Sequence, residues 1–495
     1  MPNLLRAVVY KMRFKTRKYF KISTLCCGIV VLFYTLCQSI NRNIFKPEFL
    51  SENDTLSQQF SLRSIHVRRI NDSTLDNHSV DEWNLDNHGF NVVSTCKQTL
   101  FPFHLARKNS WSATDSNKTA YVFSAYLFDT NKTVIIGIKT AGSSKFYCQF
   151  WYQSPHNQNV KMESKLAKII TISEGLGLRY TALLFQCMLP QSSAFPTHVS
   201  IVSERCETPM NLIDIQFLRS PFANKHRFTV CLTPLNFRYN RDYEILEWIE
   251  INRILGADKF IVYNYSSTIN VAHVLEYYSK RGLTEVVQWN LPVGVDTWPR
   301  ENKSVEIHYF GQVAALQVCL YRNKGVSEFI VNLDVDEFII PHGKNITTWS
   351  DMLTQLKHDS IVYMLRNTFF KKEWNNTGIE IHNKSLVDKL RLVTLQKLQH
   401  ERKLSLPKQR SKYFAKTAGV SKVMIHEVPE VTNLVVPINI GLLHHYRNWE
   451  TLNDPPQAKV LDKTVPDKFS ESLIKNVLKV RSDLQQSPKG IQCSK

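Results

Sequence analysis

From Asn41 to about Cys96 the chain is polar, rich in Asn, Asp, Ser and Arg, with no sustained period of 2 or 3.6, and it reads as a stem. Recurrent apolar runs follow. Ala120–Phe128 (AYVFSAYLF), Thr133–Ile138 (TVIIGI) and Lys145–Tyr152 (KFYCQFWY) are β-branched and aromatic, parted by polar turns, as hairpin-forming strands should be. After Pro221 the texture changes. Strands predicted at Arg227–Leu232, Lys259–Tyr263, Glu285–Trp289 and Glu328–Leu333 alternate with helices at Asp242–Leu255, Ala272–Arg281 and Gln312–Arg322. Such alternation predicts an α/β fold with a doubly wound parallel sheet, whose ligands gather at the carboxyl ends of its strands. Ile361–Leu365 and Asn433–Ile440 are further strand candidates.

The N-terminal pattern predicts a membrane anchor. Ile22–Ile40 carries no charge over 19 residues, and at about 1.5 Å per residue it just spans a hydrocarbon layer. Seven Lys or Arg precede it, against Arg42 and Lys46 just after it, which places residues 1–21 in the cytoplasm and the remainder in a lumen. No small-x-small cleavage site follows the run, so an uncleaved signal-anchor is favoured over a removed leader. Ten Asn-x-Ser/Thr sequons, Asn264 among them, all lie downstream and agree with a lumenal orientation. Of the ten cysteines, seven lie beyond the apolar run, an odd number whose pairing the spacing does not reveal.

Charge adds less. Lys and Arg number 62 against 43 Asp and Glu, which suits a handler of anionic ligands; nucleic acid is disfavoured by the lumenal compartment and the lack of a groove-reading motif. Residues 388–412 concentrate eight basic side chains. They read as a solvated face, with an electropositive lip near an anionic ligand as the sharper alternative.

The stretch most informative for chemistry is FIVNLDVDEFII, Phe329–Ile340. An apolar strand runs into Asp334-Val335-Asp336-Glu337, and on an extended chain Asp334 and Asp336 share a face. Two such carboxylates suit a hard divalent cation, Mn²⁺ or Mg²⁺, which takes one or two carboxylates plus diphosphate oxygens. The EF-hand pattern, the P-loop and His-Glu-x-x-His are all missing.

Several ordered blocks then resemble glycosyltransferase family 92: AYVFSAYLFD, CLTPLNFRYNRDYEILEWIEINRILGADKFIVYNYSS, QVAALQVCLYRNKGVSEFIVNLDVDEFI, SKYFAKTAGVSKVMIHEV and LLHHYRNW, within about Ala120–Arg447. The resemblance implies a GT-A fold, that is, a Rossmann-like mixed sheet with flanking helices. Here a small β-rich region (116–222) and a stem (41–115) precede the glycosyltransferase domain (223–450), and a C-terminal tail (451–495) follows. It also implies residence in the Golgi membrane and an inverting transfer of a hexose, galactose from UDP-galactose in some members, to a glycan such as an N-glycan.

Carried onto this chain, the resemblance makes Asp334 and Asp336 metal and diphosphate residues, with His445 favoured over His426 and His444 as the added ligand. Arg447 is a diphosphate candidate. Thr233, Pro234, Tyr263 and Asn264, at the ends of the first two strands, would line the nucleotide, and Glu337 and Glu373 are candidates for the base. The segment Lys412–Thr417 lacks the family's Arg-Pro step, with Lys416 a possible point-charge substitute. Two other readings are a catalytically inactive, membrane-anchored glycan-binding relative and a lumenal metal-dependent phosphotransferase or hydrolase.

Overall fold

The computed structural model describes residue 96 and residues 101–486, apart from 107–108, 129–130, 143–144, 155–156, 175–176, 190–194, 218–224, 297–303, 376–377 and 449–457. The basic tail 1–21, the apolar run 22–40, most of the stem and Cys493 lie outside the described residues. Among the described residues no helix is long and apolar enough to cross a membrane.

The first apolar runs form strands as predicted. Among the described residues β1 (Ser112–Ala113), β2 (Ala120–Phe128), β3 (Lys132–Thr140), β4 (Tyr147–Ser154), β5 (Asn157–Leu166), β6 (Lys168–Thr171), β7 (Tyr180–Met188), β8 (His198–Val202) and β9 (Ile213–Phe217) join one sheet, ordered β5-β4-β8-β9-β2-β3-β7-β6 with β1 beside β2. Its two halves close on a core that includes Val122, Ile135, Phe150, Phe185 and Ile201. Disulfides Cys148–Cys187 and Cys96–Cys206 tie it, the latter bringing the end of the supposed stem onto the folded unit. With β1 and a 3₁₀ turn at Phe103–Leu105 also in place, the stem ends before residue 115.

From His226 strand and helix alternate: β10 (His226–Leu235), α1 (Asp242–Ile254), β11 (Lys259–Asn264), α2 (Ile269–Lys280), β12 (Thr284–Gln288), α3 (Gln312–Asn323) and β13 (Ser327–Leu333). Helix α1 carries Asp242 and Glu244 in its first turn and Arg253 in its last, each favourable to the helix dipole, and Gly256 (φ +109°) follows its end. The remaining elements are β14 (Glu337–Pro341), α4 (Trp349–Thr354), β15 (Val362–Leu365), β16 (Asn367–Phe370), α5 (Lys384–Leu390), α6 (Val393–Gln396), β17 (Gln399–Glu401), β18 (Lys412–Lys416), β19 (Asn433–Val435), β20 (Gly441–Tyr446), β21 (Lys459–Leu461) and α7 (Thr464–Gln486).

The central sheet runs β12-β11-β10-β13-β18-β15-β19. Strands β12, β11, β10 and β13 are parallel, as the alternation predicts, but β18 is antiparallel to both β13 and β15. The sheet is therefore mixed rather than doubly wound and parallel throughout. The strand order turns back between β10 and β13, and ligands of open α/β sheets bind at such a switch point. A smaller sheet, β14-β20-β16-β17-β21, continues from the end of β13.

Alternation within each strand decides which core it feeds. Phe228, Val230, Leu232, Phe329, Val331 and Leu333 face the side covered by α1, α2 and α7. Cys231, Ile261, Tyr263 and Ile330 face the side covered by α3 and the N-terminal sheet, where a disulfide joins Cys231 to Cys319. Because Tyr121, Phe123 and Tyr126 belong to that second core, the β-rich region and the sheet behind it share an interior.

The supposed C-terminal tail is a structural element. Helix α7 buries Val465, Phe469, Leu473, Ile474, Val477 and Val480, spaced to form one apolar stripe, against the first core. Burying six such side chains is worth of order 10 kcal/mol. With α7 packed on it, α1 is buried nearly all round, Glu247, Trp248, Glu250 and Asn252 included, rather than along one stripe.

Candidate active site

The acidic motif forms a turn. Strand β13 stops at Leu333, β14 starts at Glu337, and the amide of Glu337 donates to the Asp334 carbonyl at 3.1 Å. Asp334 and Asp336 thus stand on a tight connection between two sheets and not on one face of an extended strand. Trp248 Nε1 also donates to the Asp334 carbonyl, at 3.1 Å, and the Tyr446 amide donates to the Asp336 carbonyl, at 2.8 Å. The turn is fixed from α1 and from β20.

Asp334 has partners on both carboxylate oxygens. Thr233 Oγ1, at the end of β10, donates to Oδ1, and Lys412 Nζ lies 3.2 Å from Oδ2. Burial opposes its ionisation, but the Lys412 ammonium outweighs this and holds the carboxyl below its ordinary range. Lys412 also lies 3.0 Å from Glu337 Oε2. Burial alone would favour neutral Lys412; Asp334 and Glu337 reverse that and raise its pKa above the usual lysine value.

Asp336 faces His445. The imidazole Nε2 is 3.5 Å from Asp336 Oδ2, too long for a good hydrogen bond, and this buried nitrogen has no hydrogen-bond partner. At the other side of the ring Nδ1 lies 3.2 Å from Asn367 Oδ1 and 3.5 Å from Glu337 Oε1. Burial disfavours protonation of His445, yet the surrounding carboxylates, Asp336 foremost, hold its pKa above normal. For Asp336 burial again acts upward, while His445, Lys372 and Arg447 bring its pKa down to about 2.

Strand parity separates the two adjacent histidines of β20. His445, opposite Glu337 in register, belongs to this cluster; His444, opposite Phe338, turns to the other face and meets His342 and Asp462. His426 sits outside the cluster, with Nδ1 3.2 Å from the Ser411 carbonyl, and burial, then Lys412, brings its pKa down to about 4.

The other expected residues divide. Thr233 reaches Asp334, and buried Pro234 follows it. Arg447 is exposed and close enough to lower the Asp336 pKa. Tyr263 points away, into the core against Trp289, because its strand parity assigns it to the α3 side. Asn264 is half-buried with a buried, unpartnered Oδ1, unlike the exposed sequon residues Asn117, Asn131, Asn345, Asn375 and Asn383. Lys416 pairs with Asp359 at the surface and does not join the site.

The two base candidates are also distinguished. Glu337 is 1% exposed, with Oε2 accepting from the Asp334 amide and from Lys412, so burial shuts it off from an acceptor and it acts as a positioning residue. Burial and then Asp334 raise its pKa to about 7. Glu373 is exposed, and its amide donates to Asn448 Oδ1 at 2.9 Å.

Two contributors escape a reading of sequence alone. Lys412 hides at the end of the basic stretch, whose other members are exposed or half-buried; the only local sign is its place at the head of the apolar strand KYFAK. Tyr309, half-exposed, is close enough to Asp334 and Asp336 for both carboxylates to add to the upward effect of burial on its pKa. Tyr309, Phe310 and Gly311 hold φ of +37°, +55° and +65° at the start of α3, and such left-handed runs in non-glycine residues cluster at functional sites.

Residues 226–491, more than half the chain, match the family described as Glycosyltransferase family 92. The chain belongs to glycosyltransferase family 92. Two Caenorhabditis elegans relatives are similar to it: beta-1,4-galactosyltransferase galt-1, 24% identical over 246 residues that cover 46% of this chain and 53% of the relative, and glycosyltransferase family 92 protein F13G3.3, 23% identical over 226 residues covering 45% and 42%. The family 92 chain spans about half the length of these curated relatives.

Among solved structures, this family 92 chain overlaps S. aureus TarS 1–349 in complex with UDP-GlcNAc at 14% identity and a TM-score of 0.26, covering 46% of this chain and 60% of that one. It overlaps glucosyl-3-phosphoglycerate synthase from Mycobacterium tuberculosis, in complex with Mn²⁺, UDP and glucosyl-3-phosphoglycerate, at 14% identity and a TM-score of 0.23, covering 54% and 82%.

Proposed function

We propose that the chain is a GT-A-type, metal-dependent glycosyltransferase that moves a hexose, galactose from UDP-galactose, to a glycan acceptor with inversion. Membership of family 92 supports the reaction class. The name of the galt-1 relative supports galactose. A type II Golgi anchor at 22–40 completes the reading, on the charge pattern described above.

The observation that carries the proposal is the orphaned nitrogen of His445. A buried Nε2 without a hydrogen-bond partner, 3.5 Å from an Asp336 oxygen and backed at Nδ1 by the Asn367 side-chain oxygen, is prepared as a metal ligand. Asp336 and His445 would hold Mn²⁺ or Mg²⁺, with Asp334 beside them. When bound, the cation supplies positive charge to the diphosphate that departs.

The chain's own residues do the rest. Lys412 and Thr233 hold the Asp334 carboxylate, and with it the turn, in one orientation. Arg447 and Lys372 place positive charge beside Asp336, where a diphosphate would lie. Glu373, exposed, takes the proton of the acceptor hydroxyl as its oxygen bonds to the anomeric carbon and the bond from that carbon to the UDP oxygen breaks.

A panel of UDP-sugars with glycan acceptors tests this. Transfer from UDP-galactose that requires Mn²⁺ and is lost in Asp336→Asn supports the reading. Transfer that survives both EDTA and Asp336→Asn overturns it, and phosphate release without transfer indicates a phosphotransferase or hydrolase instead.

A further inference from the structure

We propose that His342, His444 and Asp462 form a second divalent-cation site, of zinc type, on the opposite face of β20 from His445. The three residues come from separate places: His342 follows β14, His444 lies in β20, and Asp462 joins β21 to α7. His342 Nε2 and His444 Nε2 are 3.0 Å apart; Asp462 Oδ2 lies 3.4 Å from the second and 3.8 Å from the first.

These separations suit one ion better than they suit hydrogen bonds. Ligand bonds of about 2.0–2.1 Å in tetrahedral array put neighbouring ligand atoms about 3.3 Å apart, in the middle of the observed range. Direct hydrogen bonding satisfies one edge alone, since a single proton can be shared between the two Nε2 atoms while both contacts to Asp462 are too long. A central cation engages all three.

The surroundings direct these atoms inward. His444 is 1% exposed and stacks on Phe370 with centroids 4.5 Å apart, which holds the ring with Nε2 toward His342 and Asp462. The Thr464 amide donates to Asp462 Oδ1 at 2.8 Å, leaving Oδ2 for the cluster. Lys468, the nearby ammonium, is occupied by the carbonyls of Pro341, Gly343 and Ile346 and does not neutralise the carboxylate through a close ion pair.

Two imidazoles and one carboxylate favour zinc over the all-oxygen preferences of Mg²⁺ or Ca²⁺. The cluster opens on a cavity of about 640 Å³ whose rim includes Lys344, Arg402 and Lys463, so the fourth position would take water or a small anion. Bound there, the ion would tie the entry of α7 to β14 and β20.

The experiment uses the full-length chain in an Asp336→Asn/His445→Gln background, which removes the other candidate metal site. Chelator-stripped protein is titrated with Zn²⁺ and, separately, with Co²⁺, whose visible spectrum reports tetrahedral coordination. About one Zn²⁺ per chain, a rise in Tm on binding, and at least tenfold weaker binding in both His342→Gln and Asp462→Asn are expected. Measuring Tm of each variant in EDTA separates lost ligation from lost folding. Zn²⁺ affinity unchanged by His342→Gln and Asp462→Asn, or no Zn²⁺ uptake by the folded background protein, overturns the proposal.

Discussion

Lys412 Nζ lies 3.0 Å from Glu337 Oε2, and both side chains are 1% exposed. The pair joins β18 of the central sheet to the first residue of β14, so it bridges the two sheets directly behind the Asp334–Asp336 turn. A buried charge loses heavily when its partner is removed, because the survivor is left desolvated and uncompensated.

Lys412→Met is therefore expected to destabilise the fold by about 3–5 kcal/mol in urea unfolding. The double variant Lys412→Met/Glu337→Gln should recover part of that loss. Equal loss in the single and double variants would show that the lysine contributes packing rather than charge compensation.

Activity should distinguish the site's acids. Asp336→Asn and His445→Gln are expected to lower turnover by at least about 100-fold with weakened Mn²⁺ dependence. Glu373→Gln should lower kcat by about 10²–10⁴-fold while donor binding, measured calorimetrically with UDP and Mn²⁺, stays as in the parent. Retained kcat in Glu373→Gln would remove it as the base.

Stability should fall with rising pH through Glu247. This α1 carboxyl accepts from the Val393 and Thr394 amides and from Thr394 Oγ1, but burial dominates and raises its pKa to about 7 from 4.5. Its contribution is complete below pH 4.5 and is lost between there and about pH 7, where the unfolded chain ionises and the folded chain does not. The slope is up to about 1.4 kcal/mol per pH unit. The Tm difference between wild type and Glu247→Gln should shrink in that direction; a constant difference from pH 5 to pH 7.5 contradicts the assignment.

Removal of α7 should prevent folding. A chain ending at Asp462 exposes the face of the first core that Phe469, Leu473 and Val477 cover, and it is expected to show no cooperative thermal transition. Leu473→Ala should retain one, at a cost of about 2–5 kcal/mol. A cooperative transition in the truncated chain would mean that α7 is dispensable.

Much of the fold was legible in the chain. Ala120–Phe128 is a strand with the predicted ends, and Asp242–Leu255 is a helix to within one residue, because residue type and apolar periodicity act locally. Asn433–Ile440 shows the limit: strand pairing stops at Val435, where Val436 donates to the Met364 carbonyl and the chain turns away. Helix α7 carries a clear apolar stripe in the sequence, although its burial depends on the first core it packs against.

The candidate site was legible in part. Two acids at the end of a buried strand identify Asp334 and Asp336, but not that the strand stops before them, since a turn there depends on bonds from Trp248 and Tyr446. Nor does composition set Lys412 apart from its basic neighbours, because its partner Asp334 lies 78 residues away.

The sequence by itself determined the first β-runs, the alternating strands and helices of residues 227–333 and the family's motif blocks, since these follow from local periodicity and from residues read along the chain. Tertiary structure decided which groups meet. Strand parity and register send His445 to Asp336 and His444 to Asp462, turn Tyr263 into the core, and seal Glu337 beneath Lys412. A side chain's face is fixed by its own strand, but its partner and its access to water are fixed by strands and helices that reach it from elsewhere in the chain.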